Sequence, residues 1–131
     1  MMPASHAADR YLQTRVQSSQ PLELVVMLYD AALRSAATAR EASIKKDFFA
    51  RRAAVSKMLA IVSELQNMLD MERGGQIAAD LDRLYTWMTE QLIQATIKPD
   101  TRVIDELRRV LEILRDGWQQ IAAGSPGIVT P

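Results

Sequence analysis

From Ile104 onward the chain returns an apolar residue at every third or fourth position: Ile104, Leu107, Leu111, Leu114, Trp118 and Ile121. That spacing paints one face of an α-helix and leaves the remainder polar. The same rhythm runs through Ile77, Leu81, Leu84, Met88, Leu92 and Ala95, and through Val55, Met58, Val62, Leu65 and Leu69. The stretch from Pro21 to Leu33, PLELVVMLYDAAL, breaks the pattern, because only Glu23 and Asp30 in it are charged. Leu22, Val25, Tyr29 and Leu33 form its stripe, and Leu24, Met27, Leu28 and Ala31 widen it well beyond a narrow seam. A helix packed on one side only has no use for so broad an apolar arc. This one is therefore expected to lie deep among its neighbours.

Start and stop signals divide the chain into four helices. Ser19-Gln20-Pro21 places a polar cap region before a proline at the first helical position, where its missing N–H does no harm, and the first helix is expected to reach about Glu41. Asp47 is the expected N-cap of a second helix running through Met71 and stopping at Gly74-Gly75, residues suited to a left-handed C-terminal turn. The third spans about Gln76 to Ala95 and ends before Lys98-Pro99; Asp100 caps the fourth, which continues to about Ala123. Helices of about 20 residues, about 30 Å long, joined by short linkers must lie antiparallel. The predicted fold class is all-α: an antiparallel up-down four-helix bundle over residues 21–123. Residues 1–20 read as a flexible, extended or partly helical segment, and residues 124–131 (GSPGIVTP from Gly124) as a disordered tail.

The bundle seam does not consume every apolar residue. Ile61, Met68 and Met71 stand beside or at the end of the second stripe, Trp87 and Ile93 beside the third, and Val103 and Val110 beside the fourth. A bundle helix touches two neighbours, so a wide stripe is usually core; collectively, the surplus marks these residues as candidates for a binding surface. Met58, Met68, Met71 and Met88, four of the seven methionines, add adaptable filler to the second and third helices.

Composition narrows the function. Lys plus Arg equals Asp plus Glu, for a net charge of zero, so no overall field draws in nucleic acid or an anionic bilayer. No apolar run approaches the ~20 residues of a membrane span, and no insertion is expected. The absence of cysteine excludes disulfides and thiolate chemistry and fits a reducing cytosol. The sole histidine is His6, in the polar N-terminal segment, so a zinc site, a di-metal bundle site and a histidine triad all fail on inventory. Carboxylates such as Asp80 and Asp82 fall on polar faces, and Arg51-Arg52 and Arg108-Arg109 read as solvated basic pairs. The sequence thus predicts no enzyme, no catalytic residue, no cofactor and no metal.

Several short motifs, in fixed order, carry a resemblance. They are Tyr11 before a polar spacer; Pro21-Leu22-Glu23-Leu24 leading to Met27-Leu28-Tyr29-Asp30; Leu69-Asp70-Met71-Glu72 with Gly74-Gly75-Gln76-Ile77-Ala78; Leu84-Tyr85 with Met88 one turn on; and Leu114-Arg115 with Trp118. Over about Tyr11 to Ile121 the chain resembles the FliS family of flagellar secretion chaperones. Trp87 stands where that family commonly has tyrosine, and Asp80 and Thr96 replace frequent asparagines. The resemblance implies a helical bundle that holds the disordered C-terminal segment of flagellin in hydrophobic grooves. It also implies a role in keeping flagellin from polymerising in the cytoplasm and in delivering it to the type III export gate.

On this reading Tyr11, Leu12 and Val16 cover part of the groove when it is empty, as a lid or as an arm exchanged in a homodimer. Ile61, Met68, Met71, Trp87, Ile93, Val103 and Val110 contact the guest. Other flagellar regulators are further candidate partners. The competing reading is a helical homodimeric scaffold without a chaperone role.

Overall fold

The computed structural model describes residues 21–98 and 100–122. They form four helices: α1 (Pro21–Ile44), α2 (Phe48–Asn67), α3 (Met71–Ile97) and α4 (Thr101–Ala122). The expectations for Tyr11, Leu12, Val16, the N-terminal segment and the C-terminal tail lie outside the described residues.

Capping chemistry sets the helix ends. The Asp47 carboxylate accepts from the Ala50 amide at 3.1 Å, satisfying a first-turn donor of α2. Lys98, the residue before Pro99, is extended (φ −115°, ψ 118°), as sterics before proline require, and its amide closes α3 on the Gln94 carbonyl. Asp100 accepts from the Arg102 amide at the start of α4. The expected second boundary needs correction. α2 stops at Asn67 rather than Met71, because the Asp70 carboxylate accepts from the Glu72 and Arg73 amides and starts a new helix there. Gly74-Gly75 is consequently not a stop for α2. It falls one turn inside α3, where Gly75 (φ 53°, ψ −129°) kinks the helix.

That backbone pair is open to glycine and strained for any L side chain. An added Cβ at Gly75 would meet nothing within 4 Å, so the backbone alone decides the effect. Gly75→Ala is expected to lower unfolding free energy by about 1–3 kcal/mol in urea denaturation. A helix continuous through Gly75 would instead gain about 1 kcal/mol from alanine, so the sign of the change settles the geometry.

Around the bundle the order is α1–α2–α3–α4, with α1 packed along both α2 and α4, and α3 and α4 approaching each other least. The core holds most of the predicted stripes: Leu22, Val25 and Tyr29 on α1; Val55, Met58, Val62 and Leu65 on α2; Met88 and Leu92 on α3, joined by Tyr85; Ile104, Leu107, Leu111 and Trp118 on α4. Ile77, expected on the third stripe, is instead exposed near the start of α3. The broad arc of α1 is only partly enclosed. Leu24, Val26, Leu28, Ala31 and Leu33 are half-buried, and Met27 is exposed. Two neighbours cover two flanks of a helix and no more.

Two polar clasps are built into the core. The Tyr29 and Tyr85 hydroxyls share a hydrogen bond of 2.6 Å across the diagonal, and Trp118 Nε1 donates to the Tyr29 oxygen at 3.3 Å. At the end of the bundle that carries the α1–α2 turn, the Arg51 guanidinium is buried. Its Nε donates to Ser43 Oγ of α1 at 2.7 Å, one terminal nitrogen to the Ala95 carbonyl, and the other to the Lys98 carbonyl at 3.3 Å. One side chain of α2 thereby ties together the end of α1 and the C-terminal carbonyls of α3.

Candidate binding surface

The two flanks of α4 differ. On one, Arg115 Nε donates to Asp30 at 2.6 Å and Asp105 accepts from Arg40 Nε at 2.9 Å, fastening α4 to α1 at both ends. The hydrogen bond to Asp30 and its charge hold the Arg115 guanidinium above its ordinary pKa. Turning 100° per residue, the opposite flank carries Val103, Val110, Leu114 and Ile121, all half-buried against the core.

A similar asymmetry exists on α3. Gln66 Nε2 of α2 donates to the Asp82 carboxylate at 2.9 Å and to Thr86 Oγ1 at 3.0 Å, which marks the flank facing α2. Leu84 and Trp87 lie on the other side, also half-buried. The described side-chain link between α3 and α4 lies in the buried core, where the Tyr85 hydroxyl and Trp118 Nε1 meet at the Tyr29 hydroxyl. Outside that buried cluster the α3–α4 seam is apolar on both walls and the least closely packed of the four.

The sequence-predicted binding residues divide among several surfaces. Trp87, Val103 and Val110 flank the α3–α4 seam. Ile61 is buried (8% exposed) and belongs to the α1–α2 wall. Ile93 is exposed on the α2 side of α3, Met68 is half-buried in the α2–α3 turn, and Met71 is exposed at the first position of α3. These seven do not form one site. Nor do the methionines act as a group, since Met58 and Met88 are fully buried core.

Conversely, Leu84, Leu114 and Ile121, which the periodicity assigns to core stripes, sit at the seam. The signal for the last two was present: with Val103 and Val110, Leu114 and Ile121 broaden the α4 stripe toward one side only. An open hollow of about 610 Å³ lies elsewhere, between α1 and α2, walled by Ala31, Ser35, Ala53 and Ala54 with Arg34 and Lys57 beside them. Small side chains make that wall shallow.

Known proteins resemble this chain over most of its length. Residues 4–125 match the model of a family described as flagellar protein FliS. The flagellar secretion chaperone FliS of Salmonella typhimurium is 34% identical over 112 residues, 85% of this chain and 83% of that one. FliSB of Pseudomonas aeruginosa, also a flagellar secretion chaperone, is 32% identical over 111 residues, covering 85% and 88%. A crystal structure of a bacterial flagellar chaperone superposes with a TM-score of 0.76, covering 94% of this chain and all of that one. At 21% identity it speaks to the fold alone.

Proposed function

This chain belongs to the FliS family, and from that premise we propose that it is a cytoplasmic export chaperone for flagellin, with the α3–α4 seam as its principal guest groove. One observation carries the choice of groove: Val103, Val110, Leu114 and Ile121 face Leu84 and Trp87 across the seam that the protein closes least tightly. The guest is the disordered C-terminal segment of flagellin. A segment that presents apolar residues at helical spacing can lay that face into such a groove, and once held there it cannot join a filament.

Coupled folding of this kind buries roughly 1,000–3,000 Å² and sacrifices ~2–5 kcal/mol to ordering. The chaperone's part is to supply apolar walls already fixed in place, so that the ordering cost falls on the guest alone. Tyr11, Leu12 and Val16 shield the empty groove, and the loaded complex is handed to the type III export gate. Competing flagellar regulators would use the same walls.

Titration of the full chain with a peptide of flagellin's C-terminal segment tests the assignment. A large negative heat-capacity change and little salt dependence are expected, because apolar area dominates and the net charge is zero. Val110→Asp should weaken binding at least about tenfold, since a carboxylate would be desolvated against the guest. Val110 is half-exposed, so the helix content should be unchanged. Trp87 should report occupancy by a blue-shifted emission. Undiminished affinity in Val110→Asp would move the groove elsewhere. A stable dimer that ignores the peptide in light scattering would favour the scaffold reading.

A further inference from the structure

The end of the bundle opposite the α2–α3 turn gathers exposed apolar side chains that the guest groove does not use. Phe49 is 87% exposed, Ile97 67%, Ile44 61% and Phe48 50%. They come from the ends of three helices. In a helix the Cα–Cβ bonds tilt toward the N-terminus, so Phe48 and Phe49, in the first turn of α2, reach past the end of the bundle.

The charges around them are unevenly matched. Lys46, Arg52 and Lys98 are exposed, and among the described residues none forms a side-chain ion pair. The nearby carboxylates are engaged: Asp47 caps α2, Asp100 holds Arg102, and Glu41 faces Lys45. At the opposite end the imbalance reverses, with Glu64, Asp70, Glu72 and Asp116 against Arg73 and Arg115. The zero net charge, which taken alone predicts indifference to an anionic bilayer, conceals a molecule basic at one pole and acidic at the other.

We propose that the basic pole docks on an anionic lipid surface, with Phe48 and Phe49 entering the boundary between headgroups and acyl chains. Charge complementarity selects this occupant. A second copy presenting the same pole would bring like charges together. The phenylalanines stand proud of the surface, and the hollows beside them, about 220 Å³ between Phe48 and Ile97 and about 420 Å³ along Glu41, Lys45 and Asp47, are open. A planar partner reaches all of these groups together. Phenylalanine is among the apolar residues that membrane-surface helices bury at the headgroup–acyl boundary, and each cation held near an anionic leaflet raises partitioning about fivefold. Docking by this pole leaves the length of the α3–α4 seam free, so the inference stands apart from the guest groove.

The test is co-sedimentation of the full chain with phosphatidylcholine vesicles, with and without a third of phosphatidylglycerol. Binding is expected only with phosphatidylglycerol and is lost in molar salt. Phe49→Ser, or Lys46→Glu with Lys98→Glu, should reduce it about tenfold while affinity for the flagellin peptide is retained. An indole introduced by Phe49→Trp should be quenched by brominated lipid. Four outcomes would each overturn the proposal: no binding by the wild-type chain, binding indifferent to these variants, an unquenched indole, or association with soluble polyglutamate or a second copy in place of vesicles.

Discussion

Arg51→Ala lowers the unfolding free energy by about 3 kcal/mol, measured by urea denaturation. The guanidinium is buried and donates to Ser43 Oγ, the Ala95 carbonyl and the Lys98 carbonyl. Hydrogen bonds from a charged donor contribute about 1.5–3 kcal/mol each, and an acceptor left buried without a partner costs about 1–3 kcal/mol. Carbonyls at the C-terminal end of a helix lack intrahelical donors and carry partial negative charge. Such carbonyls offset a buried cation by their partial charges. Burial pulls the Arg51 pKa down and the charge of Asp100 opposes it, yet arginine remains protonated in proteins, so the loss should be the same throughout the neutral range.

Arg51→Lys restores the charge but not the forked geometry. One ammonium reaching three acceptors on two other segments should recover only part of the stability. Arg52→Ala, one residue on and exposed, should change stability by less than about 0.5 kcal/mol. Equal effects at positions 51 and 52 would mean that the clasp does not hold the bundle end.

This contrast shows how far the sequence could be read. Most of the four stripes reappears as the core because 3.6-residue periodicity depends only on the chain itself; Ile77, in phase with the third, is exposed because no neighbour covers it. The caps at Asp47 and Asp100 were legible for the same reason, each a short side chain acting on amides two or three residues away. Asp70 had equal capping chemistry. It was overlooked because Gly74-Gly75 offered a more conspicuous stop, although glycine permits a turn while a capping carboxylate drives one. Arg51-Arg52 reads as a solvated pair, but Arg51 lies on the Val55–Met58–Val62 stripe, four residues before Val55. An arginine on a core stripe can be noticed in sequence; its acceptors, 44 and 47 residues further along, cannot.

The binding surface was less accessible still. Ile61, Ile93 and Val110 all stand beside a stripe, yet they are respectively buried against α1, exposed beside α2, and half-buried beside α3. Position relative to a stripe specifies a flank. Whether that flank is closed depends on the opposing helix and on clasps such as Arg115–Asp30 and Gln66–Asp82, which are tertiary facts. Phe48, seven residues before Val55, is in phase with the second stripe yet exposed, and Phe49 falls beside it; both directly follow Asp47, where periodicity has little to say.

Alkaline pH should unfold the protein through its two buried tyrosines. Burial, and for Tyr29 also the proximity of Tyr85, raises both hydroxyl pKa values above the ordinary 10.0. Below about pH 10, folded and unfolded chains hold these protons equally, and stability is insensitive to them. As pH rises above 10 the unfolded chain releases protons that the folded chain retains. The unfolded state then binds fewer protons, and unfolding free energy falls by about 1.4 kcal/mol per pH unit for one hydroxyl, approaching twice that for two. Two units above the ordinary pKa, even one hydroxyl accounts for roughly 3 kcal/mol, a large share of a typical domain's stability. Urea denaturation at stepped pH should show this decline, and ultraviolet titration should show Tyr29 and Tyr85 ionising only as the fold is lost. Tyr29→Phe should cost about 1–3 kcal/mol at neutral pH, because it deprives the Tyr85 hydroxyl and the Trp118 N–H of their common partner. Combined with Tyr85→Phe it should remove the alkaline slope that these hydroxyls cause. A wild-type slope no steeper than that of the double variant would mean that the hydroxyls reach water in the native state, and the clasp joining α1, α3 and α4 would not be closed.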